Sequence, residues 1–226
     1  MSTSLEAREA LVGEIARWMD DFPWRLERAE DGVTVYGAAG LPCPFVGFKT
    51  VTEPRAPVDA LVGFLGEGLL AAMATMNDRY AGGEVIRPID QGPDHRAWVV
   101  CTRFRMPPGM ANREFVHVLH ERRRGPQEAF LAYGAIDDAE VPPPAKGFVR
   151  CPIYPSGQRI RALGDGRTRV EHLMVYDLAG SIPAWVQNKL LRAGHVRAYL
   201  HEWRGLLRHF EGAAREGAAR AEGARA

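Results

Sequence analysis

Seven histidines, three cysteines and a few placed carboxylates are the groups from which this chain can build a reactive site. The densest pair is His117-Val-Leu-His120. On a strand, residues three apart point to opposite faces, so these two imidazoles cannot hold one metal ion. His117 shares a face with Phe115 and Leu119, and His120 points away from it. His195 and Tyr199 lie four apart in a helical pattern and face the same space. They form an acid–base pair with no evident nucleophile or third orienting group. Cys43, Cys101 and Cys151 are scattered, with neither zinc spacing nor a disulfide framework, and read as small buried hydrophobes. No metal, cofactor or catalytic residue is expected. Glu84, Arg103 and Arg150 remain as charged candidates for contacts inside an apolar site, where a carboxylate must be paired, wet or neutral.

Helices at the two ends and strands between them must position these groups. Thr3 or Ser4 can cap a first helix over 5–20, with Leu11, Ile15, Trp18 and Met19 on its apolar side. Strand patterns at 24–29 and 33–36 flank Asp31-Gly32, a strong hairpin signal. A third strand covers 45–52, and Pro54 and Pro57 break it before two short helical patterns at 58–65 and 69–76. Strand-like runs follow at 84–89, 95–105, 113–123, 128–136, 148–153, 158–163 and 168–176, the last two joined at Asp165-Gly166. Ser181 and Pro183 then open the longest helical pattern, 182–210. Its apolar residues are Ile182, Val186, Leu190, Ala193, Val196, Leu200, Trp203, Leu207 and Phe210. Short turns between strands require mostly antiparallel pairing, so the order predicts an α+β domain. One sheet face needs cover, and the long C-terminal stripe is the obvious cover.

Composition narrows the function. The 226 residues suffice for one sizeable domain, and 46% hydrophobic with 25% charged residues is ordinary for a soluble globular chain. With 29 basic against 28 acidic residues, no basic surplus points to nucleic acid. The N-terminus lacks the apolar run of a signal peptide, and no segment approaches the length of a membrane span. A reduced, cytoplasmic setting is the expectation. Residues 211–226 repeat Ala, Arg, Glu and Gly without an apolar face and are expected to fray or be disordered beyond a domain ending at 210. Trp98, Phe104, Met106, Phe115, Phe130, Tyr133, Met174 and Tyr176 are large residues on strands that form either core or the wall of a cavity. Trp185, Asn188, Arg192, His195 and Tyr199 line one flank of the last helix, as a polar edge or as a binding surface, with Asn188 also suited to hold a loop.

Three stretches resemble one known family, the StAR-related lipid-transfer (START) domains. They are Pro107-Pro-Gly-Met-Ala-Asn-Arg-Glu-Phe-Val116, Gly147-Phe-Val-Arg150 and Asp177-Leu-Ala-Gly-Ser-Ile-Pro-Ala-Trp-Val-Gln-Asn188. Their order and spacing are similar to the family's over residues 24–210. The resemblance implies a helix-grip fold, in which a curved antiparallel sheet wraps a long C-terminal helix around a hydrophobic tunnel. It implies a non-catalytic protein that transfers or sequesters a lipid, phospholipid or sterol-like molecule, with transient membrane contact. The tunnel would be lined by Glu84, Trp98, Arg103, Phe115, His117, Leu119, Tyr133, Arg150, Met174, Tyr176, Trp185, Asn188, His195 and Tyr199. Sterol-handling members pair a buried acidic residue with an arginine; here Glu84 takes the acidic place and Leu119 stands where the arginine is expected. Arg103 or Arg150 would have to replace that charge. Fold alone does not fix activity. Alternatives are an aromatase or polyketide cyclase using His117, Glu84, Tyr133 and His195, or a ligand-sensing module with the tail as an interaction segment.

Overall fold

The computed structural model describes residues 4–136, 141–175, 177–180 and 182–223. Helix α1 (Leu5–Asp21) starts where Ser4 Oγ accepts the Ala7 N–H at 3.3 Å. Strands β1 (Arg25–Glu30) and β2 (Val33–Ala38) follow, joined by Asp31 and Gly32 at φ 49° and 76°. Positive φ at both positions gives the turn whose twist matches the strands. Next come β3 (Gly47–Thr52), α2 (Val58–Leu65) and α3 (Leu69–Met76), the two helices bent by 85°. A run of strands follows: β4 (Tyr80–Gln91), β5 (His95–Phe104), β6 (Asn112–Arg123), β7 (Glu128–Ala135), β8 (Phe148–Cys151), β9 (Ser156–Ala162) and β10 (Thr168–Met174). Helix α4 (Ala184–Gly223) ends the chain. This is the order the hydrophobic pattern predicts.

The strands form one curved sheet in the order β1-β2-β3-β10-β9-β7-β6-β5-β4, all antiparallel along that path. β8 departs from the expected pattern by lying parallel to β6, from Asn112↔Phe148 to Phe115↔Cys151. It takes the edge of β6 where the β7 pairing, which begins at His117, does not reach. The concave face packs against α2, α3 and α4 around Leu61, Leu65, Met76, Trp203 and Leu206. This α+β arrangement is a helix-grip fold.

Two expectations are corrected. The sheet has both faces covered, because α1 lays Leu11, Val12, Ile15, Trp18 and Met19 over Phe130, Ala132, Leu173 and Val175 on the far side. His120, expected to point outward, is therefore fully buried, with Arg8 of α1 nearby, and burial pushes its pKa down to about 4. The buried face of α4 is also wider than the apolar stripe. Gln187, Leu191, Tyr199, Glu202 and Leu206 are buried beside Leu200 and Trp203 of the stripe, while Leu190 of the stripe is 47% exposed. Hydrophobicity alone narrows this face because three of its buried members are polar. Ser181, the expected cap, lies outside the described residues, and the backbone of α4 continues as helix past 210 to Gly223. Cys101 and Cys151 are buried free thiols that desolvation raises to about 12, and Cys43 is half-buried. No single described helix is long and apolar enough to cross a membrane.

Candidate functional site

Between the concave face and α4 lies a cavity of about 460 Å³. The pleat builds its floor. Thr102 and Phe104 on β5, Phe115 and His117 on β6, Tyr133 on β7, Gln158 on β9, and His172 and Met174 on β10 are alternate residues of adjacent strands, so all face one space. Helix α4 roofs it with Leu191, His195, Tyr199, Glu202 and Trp203, and α3 closes one side with Leu69, Met73 and Met76. Lining residues Arg79, Arg105, Pro107, Leu190 and Ala198 are exposed and mark the mouth.

The lining is mostly apolar, yet its deep part carries polar groups in an unusual state. Tyr133 Oη donates to Gln158 Oε1 at 2.6 Å, and burial lifts the phenol far above its usual range. The His117 ring lies 5.2 Å from that of Tyr133. His172 sits 5.0 Å from the Trp203 ring and 6.0 Å from Tyr199, and His195 5.4 Å from Tyr199 on the other side. Desolvation lowers His117 and His195 to about 4 and His172 to about 3, so all three are neutral at pH 7. Glu202 moves the other way: burial raises it to about 7, although Asn77 Nδ2 donates to it at 2.8 Å. Both nitrogens of His117 and of His172, the Tyr199 hydroxyl and Trp203 Nε1 are buried with no hydrogen-bond partner among the described residues.

Of the residues expected in the tunnel, Phe115, His117, Tyr133, Met174, His195 and Tyr199 line it. Trp98 and Leu119 are cross-strand partners facing the same side, but they border a separate pocket of about 170 Å³ beside Leu69 and Leu70. Glu84, Arg103 and Arg150 are corrected: they lie on the opposite face. Arg103 Nε donates to Glu114 Oε2 at 2.8 Å and its Nη2 to Glu84 Oε1 at 2.7 Å; Arg150 Nη2 donates to Glu114 Oε1 at 2.6 Å. Strand parity requires this, since Glu114 neighbours the inward-facing Phe115. Trp185 is 73% exposed on the outside of α4. Asn188 is spent on a loop, donating to Pro44 O at 3.0 Å and accepting from Val46 N at 2.9 Å. Tyr176 lies outside the described residues. His172, Gln158, Glu202 and Trp203 were missed as site residues. His172 is two residues from Met174 on one strand, and Glu202 follows His195 and Tyr199 at helical spacing, so both periods carried the signal.

The three motif stretches meet in space. Arg113 Nε, from the first, donates to Leu178 O in the third at 2.6 Å. Arg150 of the second grips Glu114 of the first, and Cys151 Sγ reaches Leu178 O at 3.3 Å. Gln187 Nε2 donates to Asp177 Oδ1 at 2.8 Å, and its Oε1 accepts from Leu178 N at 2.7 Å. Together they brace the start of α4 against the sheet edge. Among the described residues no group of three or more His, Cys, Asp or Glu side chains is placed to hold a metal.

The comparisons agree with this geometry. A model of the START domain matches residues 73–212, from α3 through most of α4. The fold superposes on human StAR-related lipid transfer protein 5 with a TM-score of 0.78, at 18% identity, over 92% of this chain and 96% of that one. A STAR-related lipid transfer protein fragment from Xanthomonas axonopodis gives 0.65 at 20% identity, over 83% and 98%. An uncharacterized Pseudomonas aeruginosa protein is 27% identical over 184 residues, 81% of this chain and 84% of its own length. The chain belongs to the START domain family.

Proposed function

We propose that this START domain binds one apolar small molecule between the sheet and α4 and carries or sequesters it without chemical change. The observation that carries this reading is the cavity itself: about 460 Å³ of mostly apolar space in the middle of the fold. Each Å² of apolar ligand surface moved into it gains about 25 cal/mol. A single acyl chain or a compact ring system suits such a space. Loading needs the mouth to open, and the Pro107-Pro-Gly109 turn and the first turns of α4 flank it. The names of the human and Xanthomonas relatives, both lipid transfer proteins, fit the same role.

The test is extraction of the purified protein with organic solvent followed by mass spectrometry, then reloading from phosphatidylcholine vesicles doped with single-chain lipids. A single-chain or ring compound held near one-to-one is expected, and Met174→Trp, which fills the floor, should abolish the uptake. A protein that neither carries nor takes up any apolar compound overturns the reading. The catalytic alternative would rely on Glu202, buried at the cavity, where desolvation raises its carboxyl to about 7. It requires the bound compound to change on incubation, which the same spectra report.

A further inference from the structure

The deep part of the cavity holds polar groups that the fold does not use. His172 on β10 and Tyr199 and Trp203 on α4 are each more than nine-tenths buried. Their rings stand 5.0 and 6.0 Å apart in one arc. Both His172 nitrogens, the Tyr199 hydroxyl and Trp203 Nε1 lack hydrogen-bond partners among the described residues. A buried polar group left unmade costs about 1–3 kcal/mol, and here several sit around one space. Indole N–H only donates, whereas phenol and neutral imidazole both donate and accept. An oxygen atom placed among them satisfies the donors, and a hydroxyl hydrogen satisfies an imidazole nitrogen as well.

Charge decides which oxygen. The cationic side chains of the lining are Arg79, Arg105 and Arg113. Arg79 and Arg105 are exposed at the mouth, and Arg113 is spent on the Leu178 and Ala111 carbonyls. Among the described residues no cation therefore faces His172, and the carboxyl of Glu202, one residue before Trp203, disfavours an anion beside it. A phosphate or carboxylate would be buried there without a counter-charge. A protonated amine offers no acceptor to Trp203. We propose that His172, Tyr199 and Trp203 form a recognition subsite for one uncharged oxygen function, a hydroxyl or carbonyl, on an otherwise apolar ligand. This rests on the cavity-binding reading and narrows its ligand class to neutral oxygenated lipids. It replaces the acid–arginine anchor that the family resemblance implied, since Glu84 faces away from the cavity and Leu119 stands outside it.

The experiment loads the intact protein from phosphatidylcholine vesicles doped in turn with hexadecane, hexadecanol, hexadecanoic acid or hexadecylamine. The protein is repurified and its bound compound quantified. Hexadecanol is expected to be retained about tenfold over hexadecane, and above the acid and the amine. In His172→Phe and Tyr199→Phe that alcohol-to-alkane ratio should fall towards one. Hexadecane held as well as hexadecanol, or a preference for the acid or the amine, overturns the subsite while leaving cavity binding standing. Failure of all four compounds to load overturns cavity binding itself. The wild-type series alone decides the proposal if either variant does not fold.

Discussion

Two buried carboxyls, one on each side of the sheet, live in opposite surroundings. Glu114 on the far face is 0% exposed, and Glu202 at the cavity is 8% exposed. Burial alone would raise both. At Glu114 the Arg150 and Arg103 guanidiniums outweigh burial and hold the carboxyl below its usual range. At Glu202 one amide from Asn77 does not, and the carboxyl rises to about 7. The carboxylates of the far face are finished: Glu114, Glu171 and Asp90 all have arginine partners, although both ring nitrogens of the buried His120 on that face lack a hydrogen-bond partner among the described residues. The cavity face is left unfinished around His117, His172, Tyr199 and Trp203. The buried charges of the far face are thus satisfied within the chain, whereas most of the unpartnered aromatic polar groups gather at the cavity.

The largest expected effect breaks the finished side. Glu114→Gln leaves Arg103 and Arg150 half-buried around a neutral amide, and losing one partner of such a buried network costs about 3 kcal/mol. Urea unfolding should show that loss, and an unchanged midpoint would mean that the network is merely a solvated surface. The matching change at the cavity should have the opposite sign. The folded-state pKa of Glu202 lies above its unfolded value of 4.5, so its proton contributes stability below about pH 4.5 that is lost as pH rises through about 7. Glu202→Gln mimics the protonated acid and still accepts from Asn77. At pH 8 its thermal midpoint should exceed that of wild type by a few degrees and converge with it below pH 5. A lower midpoint at pH 8 would show that Glu202 pairs with a cation.

The histidines give the acid side of the same comparison. His117, His172 and His195 have pKa values depressed to about 4, 3 and 4 from 6.5. Their contribution is complete above pH 6.5 and lost as pH falls towards 4. Between pH 4.5 and 6.5 Glu202 opposes them, but it is one group against three. The unfolding midpoint should therefore fall between pH 7 and pH 5, and His172→Gln should flatten that fall. A level profile would place these rings in contact with water.

The fold was legible because its signals are local. Ser4, Asp31-Gly32 and the alternation along β6 each fix a cap, a turn or a face without reference to the rest of the chain. The site was half legible for the same reason. Parity puts His117 on the face of Phe115, and both line the cavity, but nothing local says which face of β4, β5 or β8 carries a charge inward. That depends on Glu114, three strands' worth of pairing, and so Glu84, Arg103 and Arg150 were assigned to the wrong side. The α4 face was drawn too narrowly because apolar residues were counted and polar ones discounted. In a binding cavity Gln187, Tyr199 and Glu202 belong to the buried side.

The smallest expected effects divide α4 itself into a packed half and a roofing half. Gly205 lies in the packed half, where a Cβ would come 3.3 Å from Met76 Cα. Helices α3 and α4 approach closely there, and an added methyl must push their backbones apart. Gly205→Ala should cost about 1 kcal/mol, at the low end of overpacking penalties, despite the better helix propensity of Ala. Gly194 lies in the roofing half, beside His195 and on the cavity lining, and a Cβ there meets nothing within 4 Å. A glycine inside a helix costs about 0.5–1 kcal/mol relative to alanine, and no packing at this position requires one. Gly194→Ala should therefore raise the unfolding free energy by that amount. If the glycine serves movement of the roof, the same variant should also load ligand from vesicles more slowly while reaching the same final occupancy. A variant that is stabilised and loads at the wild-type rate would place the moving part elsewhere, at the Pro107-Pro-Gly109 side of the mouth.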